Sequence, residues 1–315
     1  MGQRIVVSVT ANTTIDQTLF VASLPMNRTT RTRAQVYSMG GKPTDASWIL
    51  GELGVPSLAL GFAAGALGQK VRDLLLARGA RPDFIEVNGE TRLNTIIVVE
   101  DGSGQLTVTT STLEVSALHI KALREKFNAA LAQASCIVIG GTLPKGVEPS
   151  FYAEFIALAK AQGIPVIFDA DEPNLSAGLS ALPDFIKPNQ HELEALSGKR
   201  ISTLSEAYEA GRTVLDRYGT QPIITLGSMG ALAVLRERAY FIPPLPITVV
   251  STSGAGDAML AGLAASIQHG QAIEDGLRLG AAASAAVCIM PGTADCRRED
   301  VERFLNQVEL QEYRP

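Results

Sequence analysis

The sequence predicts an α/β fold in which helices cover a mostly parallel sheet, with a small β-sheet added. Apolar runs such as CIVIGG (136–141) and IPVIFDA (164–170) alternate with segments of helical periodicity. Uninterrupted apolar runs are typical of strands buried on both faces of a parallel sheet. The 315 residues are 46% apolar and 19% charged, which suits one large globular domain, so we treat 1–315 as a single domain.

The alternation of strands and helices continues through most of the chain. Strands are predicted at 4–10, 57–63, 136–141, 164–170, 221–227 and 246–250. Helices are predicted at 44–54, 68–79, 116–134, 149–163, 191–198, 205–219, 258–270 and 281–290. Ligands of such folds bind beyond the carboxyl ends of the strands. Glycines and polar residues follow the predicted strands, which places a site at that edge of the sheet.

Two segments interrupt this pattern and predict a small β-flap. Residues 18–38 and 92–111 show the alternation expected of half-buried strands and a hairpin. Between positions 27 and 44 the chain has four basic residues and no acidic one, namely Arg28, Arg31, Arg33 and Lys42. In an acidic protein this favours a site for an anionic small molecule. An edge strand protected by charge is the alternative.

Composition argues against several classes of function. The net charge of −5 is unlike that of nucleic-acid-binding domains, which are usually basic. No apolar run approaches the roughly 18 residues that span a bilayer. Cys136, Cys288 and Cys296 form no C-x-x-C pair, so we expect reduced thiols and a cytoplasmic location. The three histidines show no metal-ligand spacing. From the net charge and the lengths of the apolar runs, we expect neither nucleic-acid nor membrane partners.

The stretch STSGAGDAML (251–260) joins a β-rich run to an apolar helix. A helix N-terminus presents unpaired amides, and glycines let an anion approach them closely. Asp257 would then be a functional carboxylate, although a structural first-turn aspartate is the alternative. Neither common phosphate motif fits, because GGK is followed by Pro43 and the third glycine of G-x-G-x-x-G is replaced by Met259.

Seven motifs in order resemble the PfkB (ribokinase-like) carbohydrate kinases. They are TANTTID (10–16), GGK (40–42), ETRLN (90–94), GGTLPKG (140–146), KPNQHELEAL (187–196), TLGSMGA (225–231) and STSGAGD (251–257). The resemblance spans essentially the whole chain and leans toward the phosphosugar branch. It implies a ribokinase-like three-layer domain, with a mostly parallel central sheet and the β-flap as a lid.

The resemblance assigns roles on the nucleotide side. It makes Asp257 the general base, with the backbone of the loop 254–257 (Gly254, Ala255, Gly256 and Asp257) as an anion hole. The residues it places at ATP are Lys187, Asn189, Glu192, Thr225, Gly227, Gly230 and Ser284, with Glu192 linked indirectly to Mg²⁺. Asn189 and Glu192 also fit an N-terminal capping pattern, and both roles can hold together.

On the acceptor side the resemblance implies a sugar site with a basic end. The implied residues are Asp16, Gly40, Gly41, Lys42, Asp45 and Asn94, with Arg28 and Arg92 for the phosphate of the substrate. Two positions depart from the family pattern G-G-K-G-x-N. Pro43 replaces a glycine, and Asp45 replaces the expected asparagine. These departures concern the substrate more than the reaction.

The resulting expectation is ATP-dependent phosphorylation of a hydroxyl on a phosphorylated ketose: fructose 1-phosphate, fructose 6-phosphate or tagatose 6-phosphate. ATP and Mg²⁺ are implied, as are a monovalent cation (K⁺) near Ser251 and Gly292 and a homodimer formed through the lid. Two alternatives remain. One is a kinase for an unphosphorylated sugar, nucleoside or polyol, and the other is a non-catalytic regulatory protein that binds sugar or nucleotide.

Overall fold

The computed structural model describes residues 4–110 and 113–315, so the predicted lid boundary at 111 lies outside the described residues. Its strands are β1 Ile5–Thr10, β2 Thr14–Val21, β3 Ala34–Gly40, β4 Ser57–Ala63, β5 Arg81–Pro82, β6 Ile85–Glu86, β7 Arg92–Val99, β8 Gly104–Thr109, β9 Ala134–Gly140, β10 Val166–Asp169, β11 Phe185–Ile186, β12 Gln221–Thr225, β13 Ala231–Val234, β14 Ala239–Ile242 and β15 Gln311–Tyr313. Its helices are α1 Lys42–Glu52, α2 Gly65–Ala77, α3 Ala117–Leu131, α4 Ser150–Ala161, α5 Asn174–Leu179, α6 Gln190–Ser197, α7 Leu204–Tyr218, α8 Ala255–His269, α9 Ile273–Cys288 and α10 Arg298–Leu305.

The central sheet has the order β15-β14-β13-β12-β11-β10-β9-β1-β4-β5, and β6 also pairs with β4. Strands from β12 to β5 are parallel, whereas β12 to β15 are antiparallel. In register, Thr10 pairs with Gly140, and Gly140 pairs with Asp169. The carboxyl ends of β1, β9 and β10 therefore meet at one edge, as the sequence predicts.

Helices cover both faces of this sheet, which confirms the predicted α/β class. Alternate residues of β9 point to opposite faces: Val138 joins the core cluster beneath α1, α8 and α9, while Ile137 joins the one beneath α3, α4 and α7. Each strand is therefore apolar on both sides, as expected for parallel strands under helices. None of the helices in the described part of the chain is both long and apolar enough to span a bilayer.

The lid is a second sheet of four strands in the order β3-β2-β7-β8. Strands β2 and β7 are parallel and pair Asp16 with Asn94, so two predicted sugar-binding residues lie side by side. On the outer strand β8, Leu106 and Val108 are about half exposed. The lid strands begin earlier and end later than predicted, because β2 starts at Thr14 and β3 reaches Gly40.

The predicted buried strand at 246–250 is wrong. This segment is irregular, and Val249 and Val250 are about half exposed. Nearby prolines at 243, 244 and 246 lack the amide donors that a sheet ladder needs, and the amides of Val250 and Ser251 donate to the Cys288 carbonyl instead. Helix α8 also begins earlier than predicted, at Ala255, which places Asp257 in its first turn.

Candidate active site

The N-terminus of α8 forms a tight turn at the junction of two cavities. Gly254 is its N-cap, with a φ of 82°, and a side chain there would collide with the backbone of Ala294. The Ala255 amide donates to Thr252 O at 3.3 Å and the Asp257 amide donates to Gly254 O at 3.0 Å. Among the described residues, the Gly256 amide has no acceptor. The amides of Ala255 and Asp257 are therefore already used within the turn, whereas that of Gly256 can bind a ligand.

A lysine strengthens the positive potential at this free amide. Lys187 follows β11, is 5% exposed, and pairs with Asp169 Oδ2 at 3.0 Å. A β-carbon on Gly256 would lie 2.9 Å from Lys187 Nζ, so the ammonium group lies directly against the first turn of α8. An ammonium group beside a free amide at a helix N-terminus suits a phosphate anion.

Asp257 is a buried carboxyl in the same turn. Burial and, second, the charge of Asp169 raise its pKa to about 7, against the opposing charges of Lys187 and Lys42. A carboxyl that titrates near neutral pH is suited to accept a proton from a hydroxyl group.

Lys42, at the start of α1, forms ion pairs with three carboxylates. Its Nζ lies 2.9 Å from Asp169, 2.8 Å from Asp171 and 3.0 Å from Glu192. Burial alone would lower the pKa of Lys42, but these three charges raise it, so the ammonium stays protonated. Lys42 and Lys187 likewise hold the pKa of Asp169 below its usual range despite burial. In this wall of the site, the positive charges of the two lysines and the negative charges of the carboxylates therefore compensate one another.

The smaller cavity, of about 300 Å³, lies under the lid. It is lined by predicted residues Asp16, Gly41, Lys42, Asp45, Arg92, Asn94, Gly254 and Asp257. Asp16 Oδ1 accepts from Asn94 Nδ2 at 2.8 Å, and Oδ2 accepts from Thr293 Oγ1 at 2.7 Å. Two donors from different elements therefore fix the orientation of this carboxylate.

Arg92 supplies the guanidinium group of this cavity. Its Nε donates to Thr14 Oγ1 and one terminal nitrogen donates to Thr142 Oγ1, each at 2.9 Å. These bonds leave other N–H groups of the fork available and hold the side chain in one orientation. A fixed guanidinium suits a phosphate or carboxylate ligand.

The larger cavity, of about 760 Å³, lies on the other side of α8. Its lining includes the predicted residues Asn189, Thr225, Gly227, Gly230, Ala255, Gly256 and Ser284. Asn189 and Glu192 form a reciprocal capping box at the start of α6, with hydrogen bonds of 2.9 and 2.8 Å. Ser284 Oγ lies 2.7 Å from the Ala255 carbonyl, which ties α9 to the start of α8.

Four predicted residues do not line either cavity: Arg28, Gly40, Lys187 and Glu192. Lys187 and Glu192 belong instead to the network of ion pairs with Asp169 and Lys42. Arg28 is exposed in the connection between β2 and β3, and Gly40 ends β3 and packs against Asp16. Sequence reasoning did not single out four residues that line the small cavity: Asn12, Thr142, Asp171 and Thr293. Asn12 and Thr142 lie inside quoted motifs, which was an available signal. No local pattern marks Asp171 or Thr293.

The N-terminus of α8 lies between a cavity of about 760 Å³ and one of about 300 Å³, with the buried carboxyl of Asp257 at the junction. This arrangement is typical of a small-molecule phosphotransferase. Residues 5–300 match the pfkB family of carbohydrate kinases, and the chain belongs to that family.

Similar proteins span nearly the whole chain. A 1-phosphofructokinase from Haloferax volcanii is 32% identical, with 97% of this chain and 98% of the relative covered. A D-tagatose-1-phosphate kinase from Bacillus licheniformis is 30% identical, covering 92% and 95%. A crystal structure of phosphofructokinase-2 from Escherichia coli in complex with potassium has a TM-score of 0.88 at 26% identity, covering 96% and 99%. The ribokinase-like fold is thereby confirmed.

Proposed function

We propose that this protein transfers the γ-phosphoryl group of ATP to a hydroxyl group of a phosphorylated ketose. The observation that carries the proposal is the fixed guanidinium of Arg92 in the same small cavity as Asp257. One end of the cavity can then hold the existing phosphate while the base faces the hydroxyl. The two relatives named above are also kinases of phosphorylated ketoses by name.

In the proposed reaction Asp257 accepts the proton of the acceptor hydroxyl. The hydroxyl oxygen forms the new bond to the γ-phosphorus, the bond from that phosphorus to the β-phosphate oxygen breaks, and ADP leaves. Lys187 and the Gly256 amide lie where they would stabilise charge on the transferring group. Asp16, held by Asn94 and Thr293, would accept hydrogen bonds from sugar hydroxyls.

The carboxylates of this site suit an indirect role toward Mg²⁺ carried by the nucleotide. Glu192 Oε2 accepts from the Asn189 amide at 2.8 Å, and Oε1 pairs with Lys42 at 3.0 Å. With both oxygens engaged, Glu192 would act through water rather than as a direct ligand. Among the described residues, no group of three or more His, Cys, Asp or Glu side chains is placed to hold a metal ion alone. Mg²⁺ would supply neutralisation of phosphate charge.

The segment 290–295 supports a monovalent-cation site near Ser251 and Gly292. Ser251 is buried, and the Ala294 amide donates to Ser253 O at 3.0 Å, so this segment contacts the turn that carries Gly254. The E. coli structural relative was solved with potassium. A cation here would brace the anion-binding turn, and exchange of K⁺ for a bulky organic cation would then lower kcat.

We also propose a cytoplasmic homodimer formed through the lid. Leu106 and Val108 on β8 and Tyr37 on β3 are large apolar side chains between 39% and 52% exposed. An exposed apolar sheet face is a liability unless a partner covers it. Light scattering on Val108→Glu, compared with the wild type, tests whether this face joins the subunits.

A kinase for an unphosphorylated acceptor is the second candidate. It is favoured by Asp45, a carboxyl buried beside Asp257 where a phosphate would meet additional negative charge if Asp45 were ionised. An uncharged Asp45 would remove this objection to the first candidate.

The experiment is an ADP-release assay with Mg-ATP and a panel of acceptors. The panel contains fructose 1-phosphate, fructose 6-phosphate, tagatose 1-phosphate, tagatose 6-phosphate, fructose, ribose and adenosine, with Asp257→Asn as the inactive control. We expect turnover on a ketose phosphate alone. Turnover on neutral acceptors alone selects the second candidate, and ADP release that persists in Asp257→Asn contradicts both.

A further inference from the structure

Asp45 occupies an unusual position in the first turn of α1. It is 2% exposed, lines the small cavity, and its Oδ1 atom receives no hydrogen bond from any donor among the described residues. The charged groups around it are Asp257 from α8, Asp16 from β2 and Arg92 from β7. Buried oxygens without a donor are rare in folded proteins, so this carboxyl calls for a physical explanation.

The carboxyl groups of Asp45 and Asp257 both line the small cavity and lie close enough to interact. Two ionised carboxylates offer only acceptors, so a hydrogen bond between them requires a proton on one of them. In a buried setting the repulsion of two like charges enforces the same outcome. The pair therefore shares one proton.

The surrounding charges decide which member of the pair holds that proton. Burial and the nearby Asp169 carboxylate favour the protonated form of Asp257, but the ammonium groups of Lys187 and Lys42 and the first turn of α8 favour its ionised form. Asp45 faces the carboxylates of Asp257 and Asp16. Among the described groups that act most strongly on Asp45, only the guanidinium of Arg92 opposes them, and Thr14 and Thr142 already bind that group.

We propose that Asp45 is a neutral carboxylic acid that donates a hydrogen bond to Asp257, and so acts as a positioning residue that aims the base and keeps it ionised. The proposal rests on the proposed function for its kinetic consequences. A neutral Asp45 also leaves the phosphate end of the cavity free of an extra negative charge. It provides a donor and an acceptor, as the expected asparagine would.

The pKa shifts of the two groups agree with this assignment. Burial, together with the charges of Asp257 and Asp16, raises the pKa of Asp45 well above its usual range. The hydrogen bond from Asp45 acts in the opposite direction on Asp257 and lowers the pKa of that carboxyl relative to burial alone. Removal of the donor should therefore make Asp257 a group that ionises at higher pH.

The kinetic test compares the acidic limb of kcat/KM in three variants. Asp45→Asn replaces one neutral group by another, so its limb should coincide with that of the wild type. Asp45→Ala removes the donor, so its limb should move to higher pH, with a loss of about 10- to 100-fold in kcat/KM at neutral pH. Asp216→Asn, an exposed carboxylate of α7 paired with Arg212, is the control and should leave the profile unchanged.

A different shift in Asp45→Asn overturns the proposal. If Asp45 is ionised, its replacement by asparagine removes a negative neighbour from Asp257. The acidic limb then moves to lower pH by about one unit or more.

An infrared measurement tests the protonation without depending on kinase activity. It is made at about pH 8, above the pKa of about 7 of Asp257, so that this carboxyl is mostly ionised. The difference spectrum between wild type and Asp45→Asn should show the C=O band of a protonated carboxylic acid, and this band should persist in Asp257→Asn. Loss of a carboxylate band instead contradicts the proposal. If the band is present but no ketose phosphate is phosphorylated, only the proposed function fails.

Discussion

The two cavities on either side of α8 are lined by different kinds of chemical group. The larger one is lined by apolar side chains, by backbone at Gly227, Gly230 and Gly256, and by few charged groups. The smaller one contains four carboxyls and two cationic groups, which depend on one another for their charge state. Substitutions in the larger cavity should therefore have local effects. In the smaller cavity, removal of one group changes the protonation of its neighbours.

The largest effect is expected where the two cavities meet. Asp257→Asn removes the proton acceptor, so kcat should fall by about 10²- to 10⁴-fold. ATP binding should remain near the wild-type level, because the nucleotide side gains no charge and loses no donor. Steady-state kinetics and nucleotide titration measure both quantities. A variant that keeps more than about a tenth of the wild-type kcat would remove Asp257 from the role of base.

Helix α8 has a glycine at each end, and the two can be compared as a matched pair. Both have a left-handed φ, 82° at Gly254 and 64° at Gly270, but only at Gly254 would a side chain strike other backbone. Gly254→Ala should displace the turn and lower kcat/KM by about 100-fold or more. Gly270→Ala should lower the free energy of unfolding by about 1 kcal/mol and leave kcat/KM unchanged. Equal kinetic losses in the two variants would show that strain, rather than position, sets the effect.

Arg92 tests the smaller cavity alone. Arg92→Ala should raise KM for a ketose phosphate by about 10- to 100-fold and leave KM for ATP unchanged. Arg92→Lys keeps the charge without the fork and should recover part of the loss. Because Arg28 lies outside the cavity of its own chain, Arg28→Ala should have a smaller effect. If Arg28→Ala proves the larger, the acceptor phosphate binds at a different place.

The pH dependence follows from the state of Asp257. Only its ionised form accepts a proton, and its pKa is raised to about 7. Below that pH, kcat/KM should fall about tenfold for each unit. If the profile were flat between about pH 5 and 8, the pKa of the essential carboxyl would lie below about 5. That result would contradict the assignment of Asp257 as the base.

The smallest effect is expected deep in the larger cavity. Ser284 Oγ lies 2.7 Å from both the Ala255 and Gly280 carbonyls, so its hydroxyl proton already has acceptors within the protein. Ser284→Ala should change KM for ATP by less than about threefold. A larger rise, measured with the same acceptor, would indicate direct contact with the nucleotide and a more specific cavity than its apolar lining suggests.

Local patterns in the sequence were sufficient to predict most of the fold and the turn at the start of α8. Apolar runs predicted β9 and β10, and the glycines before α8 predicted the tight turn at its N-terminus. The predicted strand at 246–250 was wrong because β-branched residues suggested a ladder that the neighbouring prolines cannot support. A pattern of residue types does not include the hydrogen bonds that a segment finds elsewhere.

The acceptor side could be predicted only in part, because distant segments assemble it. Thr293 reaches Asp16 across 277 positions of sequence, and nothing local marks it. The role of Asp45 depends on the carboxyl of Asp257 beside it and on the lysines beyond. The sequence shows that Asp45 departs from the family pattern, whereas its protonation follows from the assembled charges.

The most direct test of the account is the ratio of kcat/KM for fructose 1-phosphate to that for fructose, with Mg-ATP as donor. A cavity with Arg92 at one end and Asp257 at the other should favour the phosphorylated sugar by about 100-fold or more. The ratio should collapse toward one in Arg92→Ala. A ratio near one in the wild type, or a preference for fructose, would contradict the assignment of this cavity to a phosphorylated ketose.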